Sequence, residues 1–131
     1  DEFIFISEMN NEKQQVTTSV MYSKDSKQDI FRECIDEIEN VDKDNIRHGD
    51  IGPVLFDYKV REFDLMDYVK PIDEFCSINW DELYKFFDDS ESIDGIIGLH
   101  LWQSRWKPDG FDEYKEYDKN CIYENLKEKY L

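Results

Sequence analysis

Side chains able to bind protons, metals or hydroxyl groups gather in one stretch, Gly95-Ile96-Ile97-Gly98-Leu99-His100-Leu101-Trp102-Gln103-Ser104-Arg105-Trp106. The run is apolar, short and bounded by turn-prone residues, which predicts a strand over about 96–102. Period-two alternation then places His100 and Trp102 on one face, with Ser104 next in phase. An imidazole at the end of an apolar strand, followed by indoles and a guanidinium, is suited to hold a polar ligand. The same residues also suit a core, where a strand histidine is simply hydrogen-bonded, and only context separates the two.

Other chemistry is sparse. Neither His48 nor His100 lies near a Gly-x-Ser-x-Gly nucleophile elbow. Gly49-x-x-Gly52 lacks the Lys-Ser/Thr of a phosphate loop. Asp42-Lys43-Asp44 has the Asp-x-Asp spacing of a metal site, but it follows a helix rather than an apolar strand and reads as a solvated connector. Gly52-Pro53 reads as a helix start, with proline where its missing N–H costs nothing. The free amides there could bind an anion, face water, or accept Asp50 as a cap.

The elements that must position these groups alternate irregularly, so the class is mixed α and β. Strands are expected at about 2–6, 18–22 and 96–102, and helices near 27–39, 53–62, 81–87 and 120–130. Met9 to Gln15 is polar and reads as a loop, and Leu65 to Val69 as a further short strand. In the first helix Ile30, Phe31, Cys34, Ile35 and Ile38 recur at three and four, giving one buried stripe. In the last, Ile122, Leu126 and Tyr130 share a face. Lys107-Pro108-Asp109-Gly110 is a turn, and an aromatic-rich loop follows through Tyr117.

The 131 residues fit a single domain, 1–131. Thirty-two acidic against sixteen basic residues leave a net charge of -16, which repels nucleic acid and anionic membranes and suits a basic protein partner. Cys34, Cys76 and Cys121 form no Cys-x-x-Cys pair, so free thiols in a reducing, cytoplasmic compartment are expected. No apolar run approaches the roughly 18 residues of a transmembrane segment. Asp1-Glu2 leads straight into a strand, which suggests a piece of a longer protein.

Four segments in order resemble the C-terminal half of retaining glycosyltransferases with a DxD-type sugar-binding region. That group includes initiating mannosyltransferases, lactosylceramide α-galactosyltransferases and capsular polysaccharide synthesis enzymes. Ser7-Glu8, then Thr17-Thr18-Ser19-Val20-Met21, resembles a strand pair that usually carries Asn-Asn. Gly52-Pro53-x-Leu55-Phe56 resembles the Thr-Gly-Pro helix start. Phe75-x-x-Ile78-Asn79-Trp80 resembles a Phe-Tyr-Pro-Ile-x-Trp segment. His100-Leu101-Trp102-Gln103-Ser104-Arg105-Trp106 resembles the His-Leu-Trp-Asn-x-x-Trp signature, with Gln103 in place of Asn. The closing Ile122-Tyr123-x-x-Leu126 has a counterpart too.

The resemblance implies the C-terminal portion of a GT-A-like fold without its N-terminal nucleotide-binding unit. The whole enzyme would be a nucleotide-sugar-dependent, metal-dependent glycosyltransferase acting on a glycan or glycolipid acceptor. A Mn²⁺ or Mg²⁺ ion would bridge the donor diphosphate there. The family's DxD lies upstream of the matching segments, so this chain alone is expected to bind no metal and to transfer no sugar. His100 would ligate the metal or hydrogen-bond the diphosphate. Glu8 and Asp50 would bind sugar hydroxyls as catalytic-site carboxylates, while Gly52, Trp80, Trp102 and Gln103 would contact donor or acceptor. Two other readings fit the composition: an acidic inhibitor or immunity-type module that masks a basic protein, and a sugar-binding module using exposed aromatic rings.

Overall fold

The computed structural model describes residues 2–25, 29–88 and 93–131. The chain is mixed helix and strand, and it divides into two compact units, Asp1–Ile72 and Asp73–Leu131.

The first unit opens with an antiparallel hairpin of β1 (Phe3–Asn10) and β2 (Lys13–Ser23). Apolar β1 residues face the core, and the polar residues near the turn pair across the strands. Asn10 donates to Gln15 Oε1 at 2.7 Å and Gln14 to Ser7 Oγ at 2.8 Å. The expected loop over Met9–Gln15 is therefore only a two-residue turn, Asn11-Glu12, with φ of 47° and 64°. Both positive angles match the primed turns that follow strand twist. Pairing slips between Phe5↔Met21 and Ser7↔Val16, so residues 17–20 bulge opposite Ile6. The bulge is knitted locally: the Ser19 amide donates to Thr17 Oγ1 at 3.3 Å, and Thr17 is buried.

Two helices close this unit. α1 (Asp29–Asn40) buries Ile30 and packs Phe31 and Cys34 against the core. Ile35, expected in the stripe, is instead 55% exposed. The start of the expected helix at 27 lies outside the described residues. α2 (Leu55–Glu62) follows a wide turn over Asp50–Val54, in which Gly52 alone is non-helical, at φ -125° and ψ -112°. Helical geometry therefore resumes at Pro53, as the Gly-Pro signal predicts. Phe3, Phe5, Val16, Ile30, Phe56 and Val60 form the core. Leu65–Val69 is a 3₁₀ turn over Met66–Tyr68 rather than a strand. Only Val69 reaches strand pairing, in a parallel bridge to Phe5.

Two charged contacts tie the helices of this unit. Asp57 Oδ1 accepts the Val16 amide at 2.8 Å, while Arg61 grips both carboxylate oxygens and the Gln14 carbonyl. Lys59, with its side chain 4% exposed, sends its ammonium to Glu37 at 2.6 Å, Glu62 at 2.9 Å and Glu33 at 3.7 Å. Hydrogen bonds from Glu37 and Glu62 push its pKa well above the ordinary lysine value.

The second unit has little regular structure. A single helical turn, α3 (Ile72–Phe75), lies at the division, followed by a 3₁₀ turn at Leu83–Phe86 where a helix over 81–87 is expected. α4 (Gln103–Trp106) is one turn, and α5 (Ile122–Tyr130) is the longest helix of this unit. Cys121 Sγ caps α5 by accepting from the Glu124 amide at 3.4 Å. Ile122 is buried and Leu126 half-buried, but Tyr130 is 67% exposed. The core is aromatic, with Phe87 stacked on Phe111 at 4.3 Å and edge-on to Trp106 at 5.3 Å.

Candidate functional site

Residues 96–102 do not form a strand. The amides of Ile97 and Gly98 both turn to one carbonyl, that of Glu74, at 2.8 and 3.2 Å. A strand needs a neighbour to share its ladder, and here the hydrogen bonds go to a loop. Gly98 lies on the Phe75 ring, where an added Cβ would meet Cδ1 at 2.9 Å. Ile97 is 68% exposed, so the apolar run is not a buried one. The segment ends at Trp102, whose φ of 54° turns the chain into α4.

His100 and Trp102 do share a side, as expected, but through this turn rather than through sheet alternation. Their rings stack at 3.7 Å between centroids, 21° apart. Both residues are half-buried. The Trp102 indole donates to the Ile78 carbonyl at 3.0 Å, and the Trp106 indole to the Leu101 carbonyl at 2.5 Å. These bonds hold a left-handed backbone that an L-residue adopts at a cost of about 1–2 kcal/mol. The Arg105 guanidinium lies 5.4 Å from the Trp80 ring and pairs with Asp109 at 3.2 Å. Trp80 is half-buried and lines a small cavity with Asp81, Tyr84 and Arg105.

Gln103 turns away from this stack. Its side-chain amide donates to Glu113 Oε2 at 2.9 Å, beside a cavity of about 760 Å³ lined also by Trp106, Phe111 and Tyr114. Tyr114 is 88% exposed, and the Glu113 carboxylate pushes its hydroxyl pKa up by hydrogen bonding. Neither Tyr114 nor Glu113 is among the site residues that the sequence leads one to expect. Their signal is the aromatic-acidic run Phe111-Asp112-Glu113-Tyr114, directly after the Pro-Asp-Gly turn.

The remaining expected residues lie in the first unit. Glu8 sits in β1, half-buried, opposite Gln15. Asp50 accepts the Arg47 amide on Oδ2 at 2.8 Å, so its carboxylate closes the turn before α2 and does not cap that helix. Gly52 gives its amide to the Gly49 carbonyl at 3.0 Å. Its carbonyl takes the Leu55 amide. Its amide is therefore spoken for rather than free for an anion. The Asp42-x-Asp44 pair is also structural, since Asp42 Oδ1 accepts the Asp44 amide at 3.1 Å and Oδ2 the Asn45 side chain.

The donor set around His100 bears on a metal. Within the second unit, Cys76 Sγ and a His100 ring nitrogen lie within 4.8 Å of each other. Mn²⁺ and Mg²⁺ take mainly oxygen ligands, whereas an imidazole beside a thiol suits softer ions. This pair alone does not fit the oxygen-ligated ion that the resemblance implies. Comparisons with protein-family models, curated proteins and solved structures find no match to this chain.

Proposed function

We propose that this chain is part of a nucleotide-sugar-dependent, metal-dependent retaining glycosyltransferase that acts on a glycan or glycolipid acceptor. It supplies the acceptor-side portion of a GT-A-like fold. One observation carries the reading. Two of the four signature segments, 75–80 and 100–106, are bonded to each other through Trp102 to Ile78 and Arg105 over Trp80. Segments about 20 or more residues apart that share a motif order and also hold one another are the expected anatomy of a site.

In this reading His100 presents its imidazole from a fixed ring stack to hydrogen-bond a donor diphosphate. Trp102 orients that imidazole and excludes water from its ring face. The cation of the complete enzyme would neutralise diphosphate charge, and its carboxylate ligands belong to segments outside 1–131. No helix is long and apolar enough to cross a membrane among the described residues.

The test is transfer by the full gene product containing these residues, assayed by mass spectrometry with nucleotide sugars, Mn²⁺ and lactose-type acceptors. Retention of anomeric configuration in a product supports the reading. Turnover falling by orders of magnitude in His100→Ala, with an unchanged melting temperature, assigns His100 to the site. A loss of stability with activity per folded molecule unchanged assigns it to packing and removes the carrying observation. The isolated 131-residue chain is expected to bind nucleotide sugars only weakly by calorimetry, and submicromolar affinity would overturn the division of labour proposed here.

A second reading, an acidic module for a basic protein, has one observation of its own. An apolar groove of about 240 Å³ in the first unit is lined by Met21, Ile35, Ile38 and Ile51. Asp36 and Glu39 lie along the same helix, outside the core. Apolar anchors flanked by carboxylates suit a basic amphipathic segment. Saturable binding of such a peptide that Ile35→Asp abolishes would favour this reading over the enzyme.

A further inference from the structure

We infer that the cavity beside Gln103 and Tyr114 is a carbohydrate subsite that takes a neutral pyranoside, the sugar of an acceptor glycan; the assignment of that sugar as an acceptor rests on the transferase reading. The argument begins with the exposed ring. A tyrosine face 88% open to water on an unsupported loop would be unremarkable, but this loop is braced from beneath. The Tyr117 hydroxyl accepts the Asp112 amide at 2.8 Å and donates to the Asp112 carbonyl at 3.1 Å. The Tyr123 hydroxyl donates to the Glu113 carbonyl at 2.8 Å. Asp112 Oδ1 accepts the Tyr114 amide at 2.9 Å. Both bracing tyrosines pack against the aromatic core through their rings. The fold therefore fixes the backbone under Tyr114 while leaving its face uncovered, which is the preorganised arrangement a weak ligand needs.

The rest of the lining is of matching chemistry. The cavity has the size of a monosaccharide or disaccharide site, and Phe111 and Trp106 add apolar wall. At its rim Glu113 and Gln103 stand 2.9 Å apart, an acceptor and a donor at the separation of neighbouring hydroxyls on a sugar ring. A pyranose offers an apolar C–H face for the tyrosine and vicinal hydroxyls for this pair. The carboxylates of Asp112 and Glu113, on a chain of net charge -16, disfavour uronic and sialic acids.

The experiment is saturation-transfer NMR on the full chain with methyl β-galactoside, methyl β-glucoside and methyl β-glucuronide at millimolar concentration. A neutral glycoside should bind and the glucuronide should not. Tyr114→Ala should weaken binding about tenfold with an unchanged melting curve, Tyr114→Phe should retain it, and Tyr130→Ala should have no effect. Absence of binding by either neutral glycoside, indifference to Tyr114→Ala, or preference for the glucuronide overturns the subsite. The readout needs no donor and no turnover. An inactive protein that binds galactoside through Tyr114 counts against the transferase reading alone. An active transferase whose acceptor affinity ignores Tyr114 counts against the subsite alone.

Discussion

Asp1–Ile72 and Asp73–Leu131 have similar length but different means of cohesion. The first unit uses repeating structure: a hairpin ladder and two helices whose backbone groups satisfy one another, with side chains left to pack. The second uses few ladders, so its backbone carbonyls must find other donors. Trp102, Trp106, Tyr117 and Tyr123 supply them, each burying part of a ring while its polar tip grips a main-chain oxygen. An aromatic residue with a polar handle thus replaces both a core residue and a hydrogen bond of secondary structure. Irregular backbone held this way can present side chains in directions that no helix or strand allows, and the candidate sugar-binding residues of this chain are concentrated there.

The comparison breaks most severely if the aromatic core of the second unit is not its main support. Phe87 is 7% exposed and contacts the rings of Trp106, Phe111, Tyr117 and Tyr123. Phe87→Ala should cost about 3–5 kcal/mol. All three tryptophans, Trp80, Trp102 and Trp106, lie in this unit, so denaturant unfolding followed by tryptophan fluorescence reads it directly. A loss below about 1 kcal/mol would mean that the side-chain-to-carbonyl bonds, rather than ring burial, carry the unit.

How much of this is legible in the sequence follows the same division. Apolar spacing at three and four announces α1, Gly52-Pro53 announces the turn into α2, and the β-branched run from Val16 announces β2. Those signals work because repeating structure imprints its period on burial. The strand expected over 96–102 is absent for the converse reason. Ile96, Ile97, Leu99 and Leu101 have β-forming side chains, but pairing depends on a neighbour that local sequence does not specify, and Gly98, fitted onto Phe75, takes the segment elsewhere. Ile35 likewise carries the helical period and yet faces out. The three-carboxylate cage of Lys59 has a readable half, Glu33 and Glu37 one turn apart on α1, but its lysine comes from α2. In the site, the His100–Trp102 pairing is legible from spacing. The Trp102–Ile78 bond and the braced Tyr114 are not, because each depends on a tertiary hydrogen bond.

Charge sharpens the contrast, since the two units should fail at opposite ends of the pH scale. Lys59 has a folded pKa raised above its unfolded value of about 10.4. Its contribution is therefore complete below that pH and is lost as pH rises toward the folded value. Glu124 is lowered by its hydrogen bonds from Lys127 and the Tyr117 amide. Its contribution is complete above about pH 4.3 and is lost as pH falls through the folded value. Melting temperatures across both limbs should show Lys59→Met flattening the alkaline decline and Glu124→Gln the acid one. Lys59→Met should also lower the melting temperature at neutral pH, because Glu33, Glu37 and Glu62 then face one another without this cation. Identical pH profiles for wild type and variants would show that neither contact governs its unit.

The smallest effect separates the units by sign rather than size. Each unit holds a bulky residue in the left-handed region: Glu12 at φ 64° in the hairpin turn and Trp102 at φ 54° before α4. Glycine adopts that angle without a Cβ clash, so substitution relieves the same strain at both positions. At Glu12 the residue is exposed and the ring contacts that hold Trp102 have no counterpart. Substitution there would also leave asparagine followed by glycine, the preferred pair for a turn with both φ values positive. The added entropy of glycine in the unfolded chain subtracts part of the gain. Glu12→Gly should therefore stabilise by about 0.5–1 kcal/mol, read as a raised denaturant midpoint with an unchanged slope. At Trp102 the ring is the reason the strain is tolerated. Trp102→Gly removes the bond to Ile78 and the stack under His100, and should destabilise despite the easier backbone. Stabilisation at both positions would show that the Trp102 strain is unsupported by its contacts, and the second unit would then lack the side-chain scaffold on which its candidate site depends.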